Sequence, residues 1–242
     1  MTLPTILIVP GAWHTPASYA RLCAALQHHG YPVSIPRLPS ADSTGPGALA
    51  TDIAHVRSVA TSLLASGQKL IVLMYSYGGQ VGSSAVAGLG PGVLRLIYLC
   101  AFALPKTMSL FDQERESGLL GKLPFEAGED GRARMKDPRG LMFGVGVEVE
   151  GGDEYLGTLV EWCNGSGIFE YGSGEAWREV PDVTYVVATE DEMVIPRRQW
   201  MMIDEMRAEG VNVNVVEVKT GHCPNWTAVD EVVEVVRGVK VE

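Results

Sequence analysis

Ser76, Asp191 and His222 are the residues of this 242-residue chain whose types and surroundings suit nucleophilic catalysis. A serine hydroxyl attacks a carbonyl efficiently only when a base takes its proton, and the base needs a buried carboxylate to hold its ring in the right tautomer. Ser76 stands in Met74-Tyr-Ser-Tyr-Gly-Gly79, at the end of the apolar run 70–74. That reads as a tight strand-to-helix turn which lifts the hydroxyl clear of its neighbours, with Gly78 and Gly79 leaving room for the turn. Met74 stands where the usual Gly-x-Ser-x-Gly pattern has its first glycine. Asp191 follows the apolar run 183–188, in Thr189-Glu-Asp-Glu-Met-Val-Ile-Pro196, and His222 follows the run 211–218, in Lys219-Thr-Gly-His-Cys-Pro224. All three would emerge at the carboxyl ends of parallel strands, the edge where open sheets of this kind place their ligands.

Rivals for each role are weaker. Glu190, Asp191 and Glu192 are adjacent, so geometry decides which reaches the histidine; Asp191 is favoured, and its neighbours read as exposed loop charge. Asp182 precedes its strand and belongs at the opposite edge, while Asp204 and Asp230 fit helices. His28 and His29 sit at a helix end and His55 within an amphipathic helix. His14 precedes Ser76 in the chain, which makes it a poorer base but a candidate substrate contact. A tetrahedral intermediate also needs backbone donors aimed at its oxyanion. The amide of Tyr77, directly after the nucleophile, is one candidate. The amide of Ala12 is the other, in the loop Pro10-Gly-Ala-Trp-His14 where Gly11 lets the backbone come close.

The elements that must position these residues follow from apolar runs and their breaks. Residues 5–9 form a β-branched run ended by Pro10-Gly11, and a helix opens behind Thr15-Pro16 and closes near His28-His29-Gly30. Residues 32–36 read as a short strand, a Pro/Ser/Gly-rich loop runs up to Gly47, and residues 48–65 carry helical spacing up to Ser66-Gly67. The strand into Ser76 and a helix of small residues, 79–87, come next. Runs 93–102, 183–188 and 211–218 read as further strands, the last with alternating polar residues that suit a less buried edge. Strands alternating with helices predict an α/β fold, a mostly parallel sheet with helices on both faces. Residues 104–180 break the alternation. They are expected to form a small cap over a core made of 1–103 and 181–242, being too long for an ordinary loop. The glycine-rich stretch 128–131 in their middle also suits a surface excursion. Trp13, Trp162 and Trp177 can line a pocket or pack the core, and the sequence assigns none of them a role.

Composition narrows the partners. With 46% hydrophobic residues the chain can bury one large core. A formal charge of −10 disfavours nucleic acid and anionic membrane surfaces, which leaves a neutral or weakly polar small molecule as substrate. The apolar run at the N-terminus is short and lacks a basic leader, so the mature protein is expected to begin near Met1 and to be cytoplasmic. Cys23, Cys100, Cys163 and Cys223 are scattered, with no CxxC pair, which predicts reduced thiols and neither disulfide nor metal. Cys100 reads as a small buried hydrophobe inside a strand.

Taken together, Ile8-Val-Pro-Gly-Ala-Trp-His14, Met74-Tyr-Ser-Tyr-Gly-Gly79, Thr189-Glu-Asp-Glu-Met-Val-Ile-Pro196 and Gly221-His222 resemble the α/β-hydrolase superfamily. They look most like its small serine-esterase branch, which includes plant methyl-salicylate esterases, hydroxynitrile lyases and fungal hydrolases of secondary metabolism. The resemblance implies a triad of Ser76, Asp191 and His222, an oxyanion hole from the Ala12 and Tyr77 amides, a cap, and no metal or organic cofactor. The chain departs from many members at Pro10, where they have histidine, and at Met74, where a larger residue re-angles or tightens the turn. Lyases of the branch carry threonine at the place of Gly11 and lysine at the place of Cys223, so hydrolysis of an ester, thioester or lactone is favoured. Aspartate-dependent dehalogenases and epoxide hydrolases are disfavoured by Ser76. The alternatives are a lyase, isomerase or cyclase using His222 and Asp191 for proton transfer, and a ligand-binding protein with little turnover. Exposed apolar residues on a cap would support a homodimer.

Overall fold

A computed structural model describes residues 3–41, 49–116, 118, 125–130, 132–163 and 165–238. Part of the loop expected up to Gly47, and Gly131 of the glycine-rich stretch, lie outside the described residues. The first strand, β1 (Thr5–Val9), is buried throughout and leads into β2 (Val33–Ser34) through a turn of 3-10 helix and helix α1 (Ala20–His28). Gly30, at φ +84°, takes the left-handed conformation that ends α1, as its place after the two histidines predicts. Helix α2 (Leu49–Ala65) then precedes β3 (Leu70–Tyr75), and Gly67 closes it in the same way at φ +83°. Beyond Ser76 come α3 (Gly78–Val86) and β4 (Val93–Leu99).

Between β4 and the next sheet strand lie short elements. They are helix α4 (Leu110–Glu116), the antiparallel hairpin β5 (Phe125–Ala127) and β6 (Ala133–Met135), and helices α5 (Pro138–Phe143) and α6 (Gly152–Leu156). The chain then returns to the sheet as β7 (Val183–Ala188), α7 (Pro196–Ala208) and β8 (Val213–Val218), and closes with α8 (Pro224–Thr227) and α9 (Val229–Arg237).

Among the described residues the main sheet has six strands in the order β2-β1-β3-β4-β7-β8, and every neighbouring pair is parallel. Alternation along β3 shows why helices must cover both faces. Val72 and Met74 belong to a core shared with α2, α3, α7 and the segment after β4, whereas Ile71, Leu73 and Tyr75 belong to a second core shared with α1 and α9. Val232, Val233, Val235 and Val236 of α9 lie on one side of the helix and fill that second core. β8 is the outer strand, and its half-exposed pattern matches the less buried edge read from its polar residues. Among the described residues, no helix is long and apolar enough to cross a membrane.

Two local readings change. The apolar run 93–102 stops being strand at Leu99, because Cys100 turns into the left-handed region at φ +40°. Cys100 therefore stands at the carboxyl edge of the sheet, its thiol donating to the carbonyl of His222 at 3.5 Å. The glycines after Ser76 do more than leave room for a turn. A Cβ on Gly78 would lie 2.3 Å from the carbonyl oxygen of Val9, and one on Gly79 would lie 2.5 Å from that of Phe102. Their bare backbones let α3 press against the ends of β1 and of the chain leaving β4. Met74, in the place of the pattern's first glycine, finds its own space: its side chain reaches over Gly82, one turn into α3.

Candidate active site

The carboxyl ends of β3, β7 and β8 bring Ser76, Asp191 and His222 together, and all three are buried. Ser76 sits at φ +53°, a left-handed conformation costly for a residue with a side chain, which the packing of Gly78 and Gly79 on either side of α3 holds in place. Its Oγ is 2.9 Å from His222 Nε2, and His222 Nδ1 is 2.7 Å from Asp191 Oδ2. A carboxylate only accepts, so Nδ1 carries the ring proton and Nε2 turns its lone pair to the serine hydroxyl. Asp191 is fixed in turn: its Oδ1 accepts from the amides of Met193 and Val194, both at 2.8 Å, and Gln199 Nε2 donates to Oδ2 at 3.4 Å. Glu190 and Glu192 take no part; Glu190 pairs with Lys219 at 3.7 Å on the surface and Glu192 is exposed. Asp182 lies at the far edge beside Arg95, 3.3 Å away, and His28, His29 and His55 are exposed.

Ala12 and Tyr77 line one cavity with Ser76, and its walls are otherwise mainly apolar, with Trp13, Phe125, Trp162 and Ile168 among them. Trp177 packs in the core instead and is not among the lining residues. The Tyr77 hydroxyl donates to Asp52 at 2.9 Å, and the amide of Ser40 donates to the same buried carboxylate at 3.0 Å. Burial raises the Asp52 pKa, opposed by these hydrogen bonds. The carboxylate thus anchors the residue after the nucleophile to α2. Sequence reasoning missed Asp52, yet a signal was present: it shares the inward face of α2 with Leu49, Ile53 and Val56, an odd place for a charge unless it has partners.

His14 is placed differently from the substrate contact expected of it. It is buried, its Nδ1 donates to the carbonyl of Ala12 at 2.6 Å, and its Nε2 accepts from the Tyr155 hydroxyl at 2.8 Å. Because a carbonyl cannot donate, this tautomer follows. Both nitrogens are used in tying the Ala12 loop to α6. The indole of Trp13 adds to the stitching by donating to the carbonyl of Ala133 at 2.7 Å, and the amide of Val160 donates to the carbonyl of Trp13 at 2.8 Å. Trp13 itself is left-handed, at φ +64°.

Burial pulls the His14 pKa down to about 3, against the Ala12 hydrogen bond and with a smaller push from His222. An unfolded histidine titrates near 6.5, so between those values the unfolded chain binds the extra proton and acid favours it. The stabilisation is whole above pH 6.5 and is lost as pH falls towards 3, roughly 4 to 5 kcal/mol in total. Urea unfolding from pH 7 to pH 4 is expected to show a steeper fall for the wild type than for His14→Gln. Parallel curves would show that position 14 does not carry this proton linkage.

The comparisons with known proteins agree with this architecture. The sequence profile of the family described as alpha/beta hydrolase family matches residues 6–235. A probable hydrolase of Phoma sp. is similar, 30% identical over 243 aligned residues that cover 98% of each chain. An alpha/beta hydrolase of Aspergillus novofumigatus is 27% identical over 262 aligned residues, covering 100% of this chain and 98% of its own. Among solved structures, an extracellular alpha/beta-hydrolase from a Paenibacillus species superposes with a TM-score of 0.77 at 18% identity, over 99% of this chain and all of its own. Profile, full-length relatives and parallel sheet point the same way: the chain belongs to the alpha/beta hydrolase family.

Proposed function

We propose that the protein is a serine hydrolase that cleaves an ester, thioester or lactone of a small, largely apolar metabolite through an acyl-enzyme. The observation that carries this reading is the unbroken relay from Asp191 through His222 to Ser76, opening into an apolar cavity. In the first half-reaction His222 Nε2 takes the Ser76 proton as Oγ bonds to the carbonyl carbon, and Asp191 stabilises the imidazolium that results. The negative charge passes to the carbonyl oxygen, where the amides of Ala12 and Tyr77 donate to it. Collapse of this intermediate breaks the bond to the leaving group, which receives the proton held on Nε2. Water then attacks the acyl carbon with His222 again as base, and the acid and free Ser76 are released.

Three features support the reading beyond the relay itself. Ser76 is held in a left-handed conformation at a strand end, the Ala12 loop is clamped by His14, and Tyr77 is anchored by Asp52. The relatives named as hydrolases agree with the reaction class. The test is intact-protein mass spectrometry after treatment with a fluorophosphonate, which phosphonylates an activated serine. Wild type is expected to take up one equivalent, and Ser76→Ala and His222→Ala none. A folded wild type that stays unlabelled would sink the proposal.

A further inference from the structure

The cavity beside Ser76 is small for a site that holds a metabolite. It measures about 50 Å³, where small-molecule sites commonly measure roughly 300 to 1,000 Å³. At about 10 to 15 Å³ for each water-sized group, it has room for roughly three to five of them. A larger space of about 450 Å³ lies against α5, β6 and the chain after α6, with Met135, Leu156, Leu159 and Val160 in its walls. Among the described residues, Trp13 alone borders both spaces. Towards the cavity its ring lies 5.7 Å from that of Phe125 and 5.2 Å from that of Trp162, centroid to centroid. Its N–H is held by the carbonyl of Ala133 at 2.7 Å, the residue directly before Arg134 and Met135 of the larger space. Its own carbonyl accepts from the amide of Val160, another residue of that space. Trp13 also keeps a left-handed conformation, φ +64°, that glycine would take without strain. A bulky side chain held in such a place is an outlier of the kind that marks a functional constraint.

We propose that Trp13 is a specificity-determining residue whose indole divides the two spaces, so that the substrate half held beside Ser76 is short. The inference rests on the acyl-transfer reading, because the smaller space is that of Ser76. An ester carbonyl takes two of the roughly three to five places, its carbon and its oxygen, which leaves room for about one to three carbons. The substrate is therefore an ester with one short half, acyl or alcohol, and its bulk lies outside the Ser76 cavity. Without the indole, the chain can continue into the larger space, where Met135, Leu156, Leu159 and Val160 suit methylenes.

Two ester series read the limit: 4-nitrophenyl acetate to octanoate for the acyl half, and methyl to octyl phenylacetate for the alcohol half. In one of them wild type is expected to lose about tenfold or more in kcat/KM for the first methylene beyond the limit. In that series Trp13→Gly should raise the ratio of kcat/KM for octanoate over acetate, or for octyl over methyl, by at least about tenfold. Adding Leu159→Trp to Trp13→Gly, which fills the larger space, should bring the ratio back towards wild type. A Trp13 that merely steadies the Ala12 amide would, once replaced by glycine, slow all the esters alike and leave the ratio unchanged. Trp13→Phe keeps a ring against Phe125 and Trp162 and should move the limit the same way by a smaller amount; it carries the test if the glycine variant does not fold. No length limit in wild type in either series, or a limit that the Trp13 variants leave in place, overturns the inference. If Ser76 still takes up one equivalent of fluorophosphonate, such a result sinks this inference alone, whereas a folded wild type that stays unlabelled sinks the acyl-transfer reading with it.

Discussion

Asparagine at position 191 is expected to lower kcat/KM for an ester substrate by about 10⁴-fold while leaving the fold in place. Orientation of the new side chain decides this. The amides of Met193 and Val194 both donate to Asp191 Oδ1, so an asparagine keeps its carbonyl oxygen there and turns its NH₂ towards His222 Nδ1. That nitrogen must then accept, which moves the ring proton to Nε2 and points a donor at Ser76 Oγ. The base is lost although every residue remains at its distance. Thermal unfolding within a few degrees of wild type, together with fluorophosphonate labelling slowed in proportion to turnover, is the expected pair of results. A variant that retained more than a tenth of wild-type kcat/KM would show that His222 does not depend on Asp191 for its tautomer.

Alanine at position 78 is expected to destabilise the protein by about 3 kcal/mol or more, at the upper end of what overpacking costs. Its methyl group would sit 2.3 Å from the carbonyl oxygen of Val9 and 2.6 Å from that of Pro10, and both are backbone atoms with no rotamer to escape into. Either α3 retreats from the sheet or the end of β1 does, and each movement separates Ala12 from Tyr77. Turnover in whatever remains folded should fall by about 10²-fold, the effect of a displacement near 1 Å at a catalytic site. Gly210→Ala is the control. Gly210 is left-handed at φ +83° with nothing within 4 Å of its missing Cβ, so only backbone strain of about 1 to 2 kcal/mol applies. Equal urea midpoints for Gly78→Ala and wild type would refute the packing argument.

The strands, their parallel arrangement and the edge where Ser76, Asp191 and His222 meet were legible because each signal is local. A buried strand is a run of apolar residues, and the residue after its end lands at a known edge. What could not be read depends on partners far away in the chain. His14 is read as a loop residue until Tyr155 supplies the partner for its Nε2, and the role of Asp52 emerges only with Tyr77 and Ser40, which donate to it. The end of β4 was hidden for a different reason: Cys100 bends the chain without a glycine or proline to mark the bend, and the residues on either side are uniformly apolar. Between β4 and β7, the bridges Ser109–Tyr171 and Ala133–Trp162 join residues too distant for any periodicity to reveal.

The seat that Gly82 makes for Met74 has an evolutionary consequence. A Cβ at position 82 would come within 2.7 Å of Met74 Cγ, so the two sites accept substitutions only in a certain order. A lineage moving from methionine to glycine at 74 must first live with the void left behind, and only afterwards can place alanine or serine at 82, where Val9 Cγ2, at 3.2 Å from the new Cβ, still has to give by a few tenths of an ångström. The reverse route is closed until position 82 is bare. Substitutions that would be harmless together are thus costly in one sequence of events and inaccessible in the other, and homologues should fall into two groups, with a large residue at 74 accompanied by glycine at 82.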